Sequence, residues 1–157
     1  LAAEMKRAIF ALCAMLTLAM AHAGEPFRTL ERDGARSLVD AQAHAAPTII
    51  ALWSTECPHC KRNLELFTRM AKQHARLRLI TVAVEPLSPD LAKPLERLRV
   101  PGARYAYGQE APEALAHALD AKWRGELLRA LFFDGRGNKT AISGVVDAKQ
   151  ARDALGL

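Results

Sequence analysis

The sequence predicts an α/β domain built on a mixed β-sheet, and three stretches carry that prediction. Ile49-Ile50-Ala51-Leu52-Trp53 is a short, wholly apolar run and reads as a buried strand. Lys61 to Ala75 follows with Leu64, Phe67, Met70 and Ala71 at helical spacing, and Leu77 to Val84 is apolar on both faces, as a strand in the middle of a parallel sheet is. Strand, helix and strand make a βαβ unit. Further on, Arg129 to Asp134 and Lys139 to Ser143 flank the turn residues Gly135, Gly137 and Asn138 and read as an antiparallel hairpin, with a last helix behind it. A parallel βαβ half joined to a ββα half gives an α/β sandwich with a mixed sheet.

Composition agrees with one ordinary globular domain. The chain has 157 residues, of which 50% are hydrophobic and 25% charged, enough for one core and not unusual in either direction. The net charge of +5 is dispersed. Its densest clusters, Lys61-Arg62, Arg69-Lys72 and Arg76-Arg78, fall on or near one helix with no aromatic residues between them, so they read as a solvated face and not as a nucleic-acid or membrane patch. There is no internal repeat, low-complexity tract or second domain.

The N-terminus reads as a secretory signal peptide over residues 1–23. Met5-Lys6-Arg7 is a short basic start, Ala8 to Met20 an uncharged and mostly apolar run, and Ala21-His22-Ala23 a small-residue cleavage motif, with the cut expected between Ala23 and Gly24. The apolar run is shorter than the roughly 20 residues that span a bilayer. Leu1 to Glu4 form a short extension ahead of Met5, and Cys13 leaves with the peptide. The domain then occupies residues 24–157, in the periplasm, with Cys57 and Cys60 as its cysteines.

In chain order, Phe27 to Glu31 is a first strand, Arg32-Asp33-Gly34 a turn, and Ala35 to Ala45 a short helix stopped by Pro47. After the βαβ unit, Ser88 caps a helix with Pro89 at its first position; it runs to Arg99, and Pro94 kinks or restarts it. Tyr105 to Tyr107 is a short strand, Pro112 to Lys122 a helix, and Trp123-Arg124-Gly125-Glu126 a loop. Asp147 caps the final helix, Ala148 to Leu155. Trp123, Tyr105 and Tyr107 read as packing residues, and His44, His74 and His117 as plain surface residues.

Chemistry concentrates at Cys57-Pro58-His59-Cys60, where the strand ends and the helix begins. Free N–H groups and the macrodipole at a helix N-terminus stabilise an anion, so Cys57 is placed to be a thiolate, and Cys60 one turn on is close enough to close a disulfide. A four-residue loop closes too little chain to staple a domain, which favours a reactive pair over a structural one. The alternative of half a zinc site finds no second C-x-x-C and no histidines at ligand spacing. No cofactor fingerprint or phosphate loop is present.

At these residues the chain resembles the thioredoxin superfamily, and within it the exported TlpA/ResA-like proteins. The resemblance rests on Trp53 to Leu64, with an aromatic residue four positions before the first cysteine, and on Trp123 to Asp134. The Cys-Pro-His-Cys tetrad is that of DsbA-type oxidases. The resemblance implies a thioredoxin-like three-layer α/β/α sandwich and a thiol–disulfide oxidoreductase acting on protein thiols and disulfides, recharged by a membrane or periplasmic redox partner. It further implies a monomer with neither cofactor nor metal and no nucleic-acid partner. Cys57 would be the nucleophile, Cys60 the resolving thiol, and His59 the group that stabilises the Cys57 thiolate. Trp53, Pro58, Leu127 and Leu128 would line the substrate groove.

Three positions depart from the family. Leu128 stands where the superfamily places a cis-proline beside the disulfide. Because a cis bond ahead of a non-proline residue costs about 2.5–4 kcal/mol, the Leu127-Leu128 bond is expected to be trans and the groove locally altered. Ala51 stands where many relatives bury an acid, and Asn63 where ResA-like proteins carry a glutamate, which leaves the proton acceptor for Cys60 unassigned between Glu56 and Glu85. A groove altered at Leu128 also keeps open a second function class, a thioredoxin-like module that binds a partner without turnover.

Overall fold

The computed structural model describes residues 25–157. The signal peptide assigned to residues 1–23 lies outside them. The chain runs β1 (Phe27–Leu30), α1 (Arg32–Leu38), a 3-10 turn (Ala41–Ala43), β2 (Thr48–Trp53), α2 (Cys60–Gln73), β3 (Arg78–Pro86), α3 (Ala92–Arg97), β4 (Arg104–Tyr107), α4 (Pro112–Leu119), β5 (Arg129–Phe133), β6 (Lys139–Ser143) and α5 (Ala148–Leu155). The six strands form one sheet in the order β1-β4-β3-β2-β5-β6. β1, β4, β3 and β2 are parallel neighbours, whereas β5 is antiparallel to β2 and β6 to β5. This is the mixed sheet read from the sequence.

All six residues of β2 are buried. A strand alternates its side chains between two faces, so a strand buried throughout needs cover on both. On one face Ile49, Ala51 and Trp53 pack with Leu64, Phe67 and Met70 of α2, Leu95 of α3 and Leu155 of α5. On the other, Ile50 and Leu52 pack with Ala35 of α1 and with Leu115 and Leu119 of α4. The result is a three-layer α/β/α sandwich.

Several local expectations change for non-local reasons. Arg32 to Gly34 is not a turn but the start of α1. The Glu110 carboxylate accepts the Arg32 backbone N–H and, at 2.9 Å, its Nε–H, satisfying a helix-terminal donor from 78 residues away. The helix expected from Pro89 begins instead at Ala92. Pro94 inside a helix that started at Pro89 would clash with the preceding turn, whereas from Ala92 it falls in the first turn, where no intrahelical N–H is needed. α4 ends at Leu119, not Lys122, because Asp120 leaves the helix with extended backbone and its carboxylate reaches Arg129. His44 is not a plain surface residue: its ring lies 4.3 Å from that of Phe133, and its Nε2 is 2.8 Å from the Leu38 carbonyl. The Leu127-Leu128 peptide bond is cis, against the expected trans. The intrinsic preference for trans is a local term, whereas the neighbouring peptide groups are tied to other segments: Trp123 Nε1–H donates to Glu126 O at 2.7 Å and Gly144 N–H to Leu128 O at 3.0 Å.

Two polar clamps fix the elements around the end of β2. Asn63, one turn into α2 and only 5% exposed, donates from Nδ2 to Gly144 O and accepts from Val146 N–H, both at 3.0 Å. It ties α2 to the β6–α5 connection. Arg129, at the start of β5, forms a short, largely buried ion pair with Asp120 and donates to Ser143 Oγ at 2.7 Å; Ser143 in turn donates to Glu126 Oε1 at 3.1 Å. This network closes the 120–128 loop onto the hairpin. Burial alone would raise the Asp120 pKa, but the Arg129 hydrogen bond, the Lys122 N–H and the Arg129 charge outweigh it and hold the carboxyl below its usual value.

Replacing Asn63 by alanine strips both backbone partners in a buried position and should cost about 2 kcal/mol, read by urea denaturation of the oxidised protein. The change Asp120→Asn should cost about 2–3 kcal/mol at neutral pH, because it leaves the largely buried Arg129 guanidinium with only the more distant, exposed Glu126 at 3.8 Å as an ion partner. The sign with pH follows from the lowered Asp120 pKa. Its contribution is complete above the ordinary carboxylate value of about 4 and is lost as pH falls below it. The stability gap between the unmodified chain and Asp120→Asn should therefore be constant from pH 8 to about 5 and shrink toward pH 2.

Candidate functional site: a dithiol at the end of the central strand

β2 delivers its last residue, Trp53, into the core at 1% exposure, and the chain then turns over to reach α2. Glu85, on β3, fixes this turn. Its carboxylate accepts the Thr55 backbone N–H and, at 2.9 Å, the Thr55 hydroxyl. Two further turn bonds, Glu56 N–H to Ser54 Oγ at 3.2 Å and Cys57 N–H to Ser54 O at 3.3 Å, complete it. Glu85 is thus occupied in positioning the loop, and Glu56 is exposed.

Cys57 and Cys60 are joined as a disulfide, with Cα atoms 5.5 Å apart. The two sulfurs are not equivalent. Cys60 is the first residue of α2 and 3% exposed, whereas Cys57 precedes the helix and is half-buried, with Pro58 and His59 exposed between them. His59 is the N-cap residue of α2 and makes no side-chain capping bond. Cys57 is therefore the sulfur that another molecule reaches first, beside the positive end of a 14-residue helix.

A cleft of about 220 Å³ opens beside the disulfide, between the start of α2 and α3. Both cysteines line it, together with Trp53, Pro58, Leu64, Pro94 and Leu98 as apolar wall and Lys61 and Arg97 as its charged side chains. Of the expected groove residues, Trp53 and Pro58 stand here. Leu127 and Leu128 do not line this cleft: Leu128 is 7% exposed and belongs to the core cluster that contains Cys60, and Leu127 is half-buried between the two core clusters. They lie just ahead of Arg129, which pairs with Leu52 of β2, so they flank the end of β2 from the β5 side.

Nothing in the sequence links Arg97, Pro94 or Leu98 to cysteines more than thirty residues away; the β3–β4 connection that brings α3 there is a product of the fold. Asn63, at the position of the resemblance's glutamate, is a clamp and not a titrating group. Ala51 is buried in the core at 3% exposure. Among the described residues no cluster of three His, Cys, Asp or Glu is placed to hold a metal ion.

No family model matches the chain, and no curated protein matches it. Solved structures do. The chain is similar to a thiol:disulfide interchange protein of the thioredoxin family from Chlorobium tepidum TLS, at 18% identity and a TM-score of 0.59 over 76% of this chain and 84% of that one. It is similar to a thioredoxin-related protein from Neisseria meningitidis serogroup B, at 19% identity and 0.57 over 71% and 84%. It is also similar to a secreted Mycobacterium tuberculosis disulfide oxidoreductase homologous to E. coli DsbE, at 12% identity and 0.54 over 72% and 80%. Identities this low speak to the fold, and with the sheet order and the Cys57–Cys60 pair they give the conclusion that this chain has a thioredoxin-like α/β fold.

Proposed function

We propose that the protein is an exported thiol–disulfide oxidoreductase of the TlpA/ResA kind with a DsbA-type Cys-Pro-His-Cys site, working in the periplasm as a monomer on the thiols and disulfides of other proteins. The observation that carries the proposal is the asymmetry of the two sulfurs. Cys57 is half-buried at the mouth of a cleft and Cys60 is buried behind it at the helix start. In the oxidising direction a client thiolate attacks Cys57 Sγ, the Cys57–Cys60 bond breaks, and Cys60 leaves as a thiolate that takes up a proton. A second client thiolate then attacks the client sulfur of the mixed disulfide and expels Cys57 as a thiolate. The client loses two electrons as its disulfide forms, and the Cys57–Cys60 pair gains them. The reducing direction is the same sequence reversed.

The surroundings favour the thiolate of Cys57. Cys57 stands just ahead of the helix end with His59 two residues on, and the charged side chains of the cleft it lines, Lys61 and Arg97, are both cations. A stabilised thiolate stabilises the reduced form and makes the disulfide a stronger oxidant.

The measurement is the equilibrium reduction potential of the Cys57–Cys60 pair against a glutathione buffer. A value nearer about −120 mV than about −270 mV is expected and would make the protein an oxidant of exported thiols. A value near the lower figure would make it a reductant fed by a membrane or periplasmic redox partner. Failure to cycle reversibly would replace the enzyme by a binding module. His59→Ala should move the potential down by about 30–60 mV and raise the pH at which Cys57 becomes reactive to alkylation.

A further inference from the structure

The cleft beside the disulfide carries information about the client, and the inference rests on the oxidoreductase reading above. Its wall is apolar along Trp53, Pro58, Leu64 and Leu98, and its charged lining is Lys61 from α2 and Arg97 from α3. No aspartate or glutamate is among the described residues that line it. Lys61 has Glu65 at 3.6 Å in a loose pair with both side chains largely in solvent, at 64% and 41% exposure, and Arg97 is the lining cation with no ion-pair partner among the described residues. Glu85 keeps its charge while accepting both Thr55 hydrogen bonds and stands behind that lining residue, so one acid there faces the two cations of the lining; Glu56 and Glu96 are exposed and stand outside the lining. At about 220 Å³ the cleft is below the several hundred Å³ of a small-molecule pocket, and it takes one or two side chains of a segment passing over Cys57.

We infer that the preferred client is an extended polypeptide segment whose reacting cysteine is flanked by acidic residues, its carboxylate seated between Lys61 and Arg97 and an apolar neighbour against Trp53 and Leu98. Opposite charge across such a contact mainly raises the rate of productive encounter and suppresses wrong partners. The redox step is the exchange already written: a client dithiol becomes a disulfide, and the Cys57–Cys60 disulfide becomes a dithiol.

The test uses two dithiol peptides identical except for the residues flanking one cysteine, glutamates in one and lysines in the other. Oxidised protein is mixed with each, and exchange is followed by rapid alkylation and mass analysis. Each rate is divided by that peptide's rate with the uncharged 2-hydroxyethyl disulfide, which removes the effect of flanking charge on the peptide's own thiol. The acidic peptide should be favoured about tenfold at roughly 20 mM salt, with the preference collapsing at roughly 0.5 M. Arg97→Glu, which leaves Lys61 opposed by an acid, should abolish the preference and Arg97→Gln should reduce it; because the readout is a ratio within one protein, a uniform loss of activity in a variant cancels. The same comparison with reduced protein and the peptide disulfides covers the opposite direction of exchange. Equal normalised rates, or a preference that survives Arg97→Glu, overturn the acidic-client assignment and leave the oxidoreductase reading standing. No exchange in either direction overturns both.

Discussion

The burial of β2 on both faces is the constraint from which the site follows. A strand with every side chain buried can sit only in the middle of a sheet covered by helices above and below, and here it is bracketed by parallel β3 and antiparallel β5. That fixes its C-terminal end against Arg129 on one side and Ala83 on the other. The cysteine loop has to leave from that point, and α2 has to begin directly over the sheet to bring Leu64, Phe67 and Met70 down onto it. Cys60 is buried because it is the first residue of a helix whose inner face is already committed to the core. Cys57 is reachable because the chain has not yet entered the helix.

The polar groups near the sulfurs divide into those that hold the backbone and those that face the cleft. Asn63 spends both ends of its amide on Gly144 and Val146, and Glu85 spends both carboxylate oxygens on Thr55. A buried glutamate at position 63 would carry a charge where two backbone groups need one donor and one acceptor, which an amide supplies and a carboxylate does not. The asparagine is thus an adaptation of this chain's own β6–α5 connection. On the oxidoreductase reading, the proton that Cys60 would take up on leaving has no buried acid in this clamp to come from.

How much of this was legible in the sequence depended on the distance between partners. β2, α2 and the hairpin rest on periodicity and turn residues within a few positions. The last helix rests on Asp147 and Gln150, which form a reciprocal capping box as neighbours on one turn. The start of α1 depends on Glu110, the placement of His44 on Phe133, and the walls of the cleft on α3, and each is a contact between segments far apart in the chain. The cysteines themselves were legible because their chemistry needs only a strand, a turn and a helix in immediate succession. Arg97 was not, since its relation to them is made by the β3–β4 connection. Leu128 shows the limit from the other side: a local energy preference argues for trans, while the partners of the peptide groups on either side, Trp123 to Glu126 O and Gly144 to Leu128 O, are contributed by the surrounding loop and by the strand end opposite.

The charges of the cleft bear on both halves of an exchange cycle. In the oxidised state the sulfurs are neutral and the cations Lys61 and Arg97 are available to a client carboxylate. On the proposed reading, a Cys57 thiolate would draw on the same positive potential, together with the end of α2. Two anions then share one set of cations, and the carboxylate is held less tightly than before. On the acidic-client assignment, the redox state of Cys57–Cys60 therefore sets the affinity for the client: a segment is held while the disulfide is intact and released when its electrons have been transferred. The coupling is reciprocal, because a bound carboxylate must raise the Cys57 pKa by the same free energy with which the thiolate weakens the carboxylate. A mutation that removes Arg97 would thus act on client binding and on the difference in binding between the two redox states together, whereas one at His59, outside the cleft lining, would act chiefly on the thiolate.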